Sequence, residues 1–218
     1  MSEVGSAIAD VEFAGEQIVL HLEDGRALAA PLAWAGSAVV AMNAADRAGW
    51  VRTEDGRGVN WPAAGQTSPE GKLNVWTLEE DALYEDALAQ VKAAAWDVSV
   101  LSPRSRALVA LWRLVADGNN GGLVQFLGNW GGDEVRVALD ALAAVGADRT
   151  LGIVREFWRE VEPLTEREDV NTPEEFWAAM RDSDLSDRLE ALDESFWEAS
   201  PELTRLVARH FGPAPSAR

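Results

Sequence analysis

NNGGLVQFLGNWGGDEV, residues 119–135, carries five glycines and three asparagines in seventeen positions. Glycine-rich turns that cradle phosphates come in two main patterns. A P-loop needs Gly-x-x-x-x-Gly-Lys-Ser/Thr after a strand, and a dinucleotide fingerprint needs Gly-x-Gly-x-x-Gly after a strand. This stretch meets neither. Gly121-Gly122 follows the helical run ALVALWRLV, no lysine occurs after Lys92, and Asp133-Glu134 beside the later glycines would repel a phosphate. The stretch therefore reads as two tight turns around a short helix bearing Leu123, Phe126 and Leu127. Glycine supplies positive φ there, and asparagine side chains can satisfy exposed backbone groups. Its role is to bend a helical region.

Working outward, the helical pattern extends in both directions. Thr77 and Glu80 make a capping box before LEEDALYEDALAQVKAAAW. Ser102-Pro103 opens RSRALVALWRLVA, with Leu108, Leu111, Trp112 and Val115 on one face. DEVRVALDALAAV ends at Gly146, a C-terminal glycine, and DRTLGIVREFWREV follows after a short turn. Thr172-Pro173-Glu174-Glu175 is an N-terminal signature, and LSDRLEALDESFWEA and SPELTRLVARHF complete the set. Phe157-Trp158, Phe176-Trp177 and Phe196-Trp197 read as core aromatics on successive helices rather than as a repeat. Before residue 62 the pattern changes. Asp24-Gly25 separates two β-rich runs, and Asp55-Gly56 separates two shorter ones after one helical turn in NAADRAGW. The expected fold class is α+β: a small α+β domain at 1–62, a linker at 63–76 rich in turn formers, an all-α domain at 77–211, and a flexible tail at 212–218.

Composition bounds the function. Hydrophobic residues make up 47% of 218, enough for a sizeable core. No apolar run approaches a membrane span, and the start lacks the basic and apolar regions of a secretory signal. The absence of cysteine excludes thiolate metal sites and cysteine nucleophiles and fits the bacterial cytoplasm, the expected location. Nineteen basic against 37 acidic residues give a net charge of −18. That charge disfavours direct contact with nucleic acid or an anionic membrane and favours a basic protein partner. The oligomeric state is left open, a homodimer included. No cofactor is expected.

Catalytic and metal chemistry is poorly supplied. His21 and His210 are the only histidines and fall in different expected domains, which disfavours a nucleophile triad. In DSDLSDRLEALD, from Asp182, Asp187 stands at the required glycine of a calcium loop and Asp193 at its closing glutamate, so a helix start is the better reading. No metal site is expected. The acids are the remaining signal. Asp187, Glu190, Glu194 and Glu198 step by three, four and four and so line one helix face. Glu160, Glu162, Glu166, Glu168, Asp169, Glu174 and Glu175 crowd a second region, and Glu79, Glu80, Asp81, Glu85 and Asp86 a third. Like charges at such steps cost stability. A solvated helix face is the plain reading; the alternative is that the row imitates duplex phosphates, one charge per roughly 1.7 Å of axis.

The segment NGGLVQFLGNWGGDEVRVALDALAAVGA resembles the core motif of the bacterial DNA-mimic protein family, carried here by Asn120, Gly121, Gly122, Gln125, Phe126, Asn129, Gly146 and Ala147. RLEALDESFW at 188–197 is similar to that family's later helix, and the likeness covers roughly 77–211. Leu123 stands where phenylalanine is common and Trp130 where a small polar residue is usual. Residues 7–62 resemble a small α+β bacterial domain family of unknown function. The first resemblance implies a non-enzymatic inhibitor. It would present a DNA-like carboxylate surface to a transcription regulator or nuclease and block its DNA site. An immunity or antitoxin-like protein that neutralises a basic toxin is the second expectation, and a carboxylate-based hydrolase the third.

Overall fold

In QIVLHL the apolar residues alternate, so a strand turns Ile18, Leu20 and Leu22 to one side, where all three are buried. This strand, β2 (Gln17–Leu22), is the centre of an antiparallel sheet between β1 (Ile8–Ala14) and β3 (Ala27–Pro31). Its register pairs Val11 with Leu20 and Leu20 with Leu28. The Asp24-Gly25 hairpin lies where the sequence puts it, and the Asp24 carboxylate accepts from the Arg26 N–H at 3.1 Å. After α1 (Ser37–Ala41) and α2 (Ala44–Arg47), a second antiparallel sheet runs β4 (Val51–Arg52), β5 (Gly58–Asn60), β6 (Leu73–Asn74). Ile8, Ile18, Leu20, Val39, Val59 and Trp61 form one core, and the fully buried Trp61 indole donates to the Arg47 carbonyl at 3.0 Å. This computed structural model describes residues 5–167, 172, 175–176, 178–179 and 185–213.

Two expectations need correction here. Residues 63–76 contain β6, whose Leu73 pairs with Val59 and is buried, and the Trp61–Gln66 bridge. Asn60 draws the intervening loop inward: its amide donates to the Ser68 carbonyl and its oxygen accepts from the Ser68 and Lys72 N–H groups. A segment so held belongs to the sheet and is no open linker. The helix after it, α3 (Val75–Ala93), starts earlier than the Thr77 capping box would place it. Asn74 supplies the cap by accepting from the Thr77 N–H at 2.9 Å, so Thr77 lies inside the helix. The chain divides within α3, into Met1–Leu83 with Val207–Arg218 and, as the other unit, Tyr84–Leu206.

The second unit is helical among its described residues. Helix α4 (Pro103–Val145) opens as expected, with the Ser102 hydroxyl accepting from the Ser105 N–H at 3.1 Å and proline in the first turn. It closes at Gly146, and α5 (Asp148–Thr165) begins after Ala147. Leu151, Val154, Phe157, Trp158 and Val161 make the buried face of α5, at the steps a 3.6-residue period demands. Its first turn has no cap of its own; the Glu202 carboxylate accepts from the Thr150 N–H and hydroxyl instead. Helix α6 (Leu185–Ala199) buries Leu185, Leu189, Phe196 and Ala199, and α7 (Glu202–Phe211) follows. Full burial of Phe126, Phe157 and Phe196 contributes about 1.5–3 kcal/mol each. Of the Phe-Trp pairs, Phe157, Trp158 and Phe196 are core residues as expected; Trp197 is 47% exposed, and Trp177 lies outside the described residues.

Candidate functional site

The glycine stretch breaks α4 twice, as its sequence implies. Gly122 (φ 82°) and Gly131 (φ 78°) take backbone conformations that side chains resist, and they divide the helix into 103–120, 123–130 and 132–145. Leu123, Phe126 and Leu127 of the middle piece are buried. The polar residues of the motif bond differently from expectation. Their amides meet side chains: Gln125 and Asn129 both donate to Asp117 Oδ1, at 2.9 and 3.1 Å, and the Trp130 indole donates to Asp117 Oδ2 at 2.6 Å. Asn120 donates to Gln125 Oε1 at 3.5 Å. The backbone group freed at the first break is the Leu123 N–H, and Asp193 Oδ1 from α6 accepts it at 2.8 Å. Neither Asp117 nor Asp193 is among the sequence candidates.

Two further contacts tie this break to α6. The Trp197 indole donates to the Gly118 carbonyl at 2.7 Å, and the Ser200 hydroxyl to Asn119 Oδ1 at 3.4 Å. Gly118 sits where a Cβ would come within 2.5 Å of the Phe196 ring, so the helix and the aromatic approach each other closely. Burial pushes the Asp193 carboxyl above the usual aspartate value; the Leu123 N–H opposes that shift and the neighbouring Glu190 charge adds to it. At the second break, buried Glu134 accepts from Arg106 and, at 2.9 Å, from Arg113. The Arg113 guanidinium in turn lies over the Trp130 ring, 3.7 Å from its centre.

The candidate acids separate by position. Asp187, Glu190, Glu194 and Glu198 are all exposed along α6. Among the described residues, no cation pairs with Asp187, Glu190 or Glu194, whereas Glu198 meets Arg149 of α5 at 3.0 Å. Glu160 and Glu162 are half-buried on α5 and each is engaged: Glu160 with Arg188 of α6 at 3.2 Å, Glu162 with Arg136 at 3.0 Å. The pairs Arg149–Glu198 and Glu160–Arg188 run in opposite sequence directions, so α5 and α6 lie antiparallel, with the α6 row beside the engaged acids of α5. Glu166 is exposed at the end of α5. Glu175 has a structural task, accepting from the Thr172 N–H at 3.0 Å while its own N–H donates to the Thr172 hydroxyl at 3.2 Å. Glu168, Asp169 and Glu174 lie outside the described residues, as do Pro173 and Asp182, where DSDLSDRLEALD begins. Glu79 is no surface acid: it is buried, pairs with Arg26 at 2.9 Å and accepts from the Gly5 N–H.

Two aspartates were missed by sequence reasoning, although signals for both exist. Asp193 falls four residues after Leu189 and three before Phe196, on the apolar face of α6, where an ionised side chain needs a donor. Trp130, half-buried, needs an acceptor for its indole N–H. No helix among the described residues is long and apolar enough to cross a membrane.

Fold and charge together describe an acidic helical unit bent twice by glycines and faced by a row of carboxylates. Residues 99–211 match the family model described as DMP19-like protein, which spans α4 to α7 and the whole glycine motif. The match covers more than half of the chain, and the chain belongs to the DMP19-like family, a family of DNA mimics. No curated protein and no solved structure matches the chain.

Proposed function

We propose that the helical unit acts without catalysis, presenting the outer face of α6 to a basic DNA-binding protein and occupying its DNA site. One observation carries the reading: Asp187, Glu190 and Glu194 stand exposed on one helix face with no described cation against them, in a chain of the DMP19-like family. Arginines meet the acids at Glu134, Glu160 and Glu162. Against Asp187, Glu190 and Glu194 none is described, and like charges at helical steps cost stability that binding can recover. The partner is a transcription regulator or a nuclease, met in the cytoplasm.

Immunity against a basic toxin is the second reading, favoured by the exposed Trp197 beside the row. Competition separates the two. The partner is captured on immobilised protein and released with a duplex oligonucleotide. A mimic gives way to duplex, and its affinity falls steeply between about 50 and 200 mM salt. Lysine at Asp187, Glu190, Glu194 and Glu198 together abolishes capture while the circular dichroism spectrum persists. A partner that holds duplex and this protein at the same time refutes the reading.

A further inference from the structure

The helical unit twice encloses an arginine between a tryptophan face and carboxylates, using its own residues. At the first place Arg113 lies 3.7 Å from the centre of the Trp130 ring and donates to Glu134 at 2.9 Å. At the second, Arg136 lies 5.0 Å from the centre of the Trp158 ring and donates to Asp133 and Glu162 at 2.9 and 3.0 Å. The outer face of α6 carries the same chemical set. Trp197 follows Glu194 by three residues and Glu190 by seven, so the three side chains share one side of the helix. Here no described arginine lies over the ring or against either carboxylate.

Trp197 is also prepared for contact. The residue is 47% exposed, yet its indole N–H is fixed on the Gly118 carbonyl at 2.7 Å, so the ring stands in one orientation with little left to order on binding. An indole face attracts a planar guanidinium by stacking and by its quadrupole, and the neighbouring carboxylates accept the guanidinium N–H groups. An ammonium group gains the charge attraction but not the stacking.

We infer that Trp197, Glu190 and Glu194 form a receptor for an arginine side chain of the protein partner, and that this face selects arginine over lysine. The inference rests on the proposed reading in needing a basic protein at the α6 face, but not in needing that protein to be one that binds DNA. It also adds a feature that imitation of phosphates alone would not have, since a phosphate row has no aromatic face.

The experiment titrates fluorescein-labelled octa-arginine and octa-lysine peptides into the full chain and three variants. The wild type binds octa-arginine more tightly than octa-lysine, about three- to fivefold of that preference coming from the indole. Trp197→Leu loses that increment while binding octa-lysine as before, and Trp197→Phe keeps part of it. Glu190→Gln with Glu194→Gln weakens both peptides. An equal preference in the wild type and in Trp197→Leu overturns the inference. If Trp197→Leu fails to fold, 5-fluorotryptophan-labelled wild type serves instead: octa-arginine shifts the Trp197 resonance, assigned with Trp197→Phe, and octa-lysine does not. A resonance unmoved by octa-arginine overturns the inference, as does self-association that Trp197→Phe abolishes, which would make a second copy the occupant. No DNA enters this test, so its failure leaves the mimicry reading standing, and failure of the duplex competition leaves the arginine receptor standing.

Discussion

Asp193 and Glu194 are adjacent on α6 and have opposite fates. Asp193 turns toward the first break of α4, half-buried, and accepts the Leu123 N–H. Glu194 turns outward, exposed, with no described partner. One helical step of 100° separates a carboxylate that holds the fold from one that is free to meet another molecule. A net charge of −18 is thus two populations of acid. The inner one is held in place, Glu79 and Glu134 by arginines and Asp117 and Asp193 by N–H donors. The outer one repels itself. The contrast predicts that inner substitutions damage stability and outer ones do not.

The largest effect belongs to Glu134. Glu134→Ala leaves Arg106 and buried Arg113 facing each other without a counter-charge, at a cost of about 3–5 kcal/mol. Urea denaturation reads this as a lowered midpoint at an unchanged slope. Glu194→Ala, measured beside it, changes stability by less than about 0.5 kcal/mol. Equal losses at the two positions would break the distinction between inner and outer acids.

Next come the glycines of the two breaks, which differ in what surrounds them. A Cβ at Gly122 would fall 2.2 Å from Asp193 Oδ2, while at Gly131 it meets nothing within 4 Å. Both have positive φ, so Gly131→Ala carries only the strain of a side chain in a glycine conformation, about 1–2 kcal/mol, and Gly122→Ala carries that strain and displaces the carboxylate, about 2–3 kcal/mol in all. Thermal melting of the two variants measures the difference. Equal losses would show that Asp193 yields without cost.

These pairs also show what the sequence discloses. Local chemistry was legible: Ser102-Pro103, the glycine breaks, Gly146 and the Asp24-Gly25 hairpin all depend on residues within a few positions of each other. Distant partners were not. The segment 63–76 looked like a linker because β6 is two residues long and its pairing with β5 is made across the Asn60 loop. Thr77 looked like a cap because Asn74, three residues earlier, offers the same chemistry, and only geometry chooses between them. Asp193 meets Leu123 seventy positions away, and the helix period, applied to acids as well as to apolar residues, would have marked it. The exposed row was visible in spacing alone.

A pH titration sharpens the comparison at Asp193 itself. Its folded value is raised, so its contribution to stability is fully present below the ordinary aspartate value and is lost as pH rises through the folded one. Asp193→Asn keeps an oxygen for the Leu123 N–H and does not ionise. The variant should therefore gain on the wild type as pH rises through that window and hold a constant advantage above it. Asp193→Ala removes the acceptor and costs about 1–2 kcal/mol. A wild type that gains on Asp193→Asn with rising pH would reverse the assigned sign.

The smallest effect joins the two populations. Glu190 stands on the outer face, yet its charge reaches Asp193 three residues on and helps to raise that carboxyl. Glu194 has outer neighbours at four residues on each side, Glu190 and Glu198. Replacing either Glu190 or Glu194 by glutamine removes like-charge repulsion along the row and should stabilise the fold by about 0.2–0.5 kcal/mol. High salt should erase most of that gain, because the charges are exposed and screened. Only Glu190→Gln should also narrow the pH window of Asp193, lowering its folded value toward the ordinary one. Carbon-detected NMR titration of the Asp193 carboxyl in the two variants separates a charge acting along the surface from one that also acts inward. If both variants move that titration alike, the outer row acts on Asp193 as a diffuse field, and the division of acids by helix face describes position without describing energy.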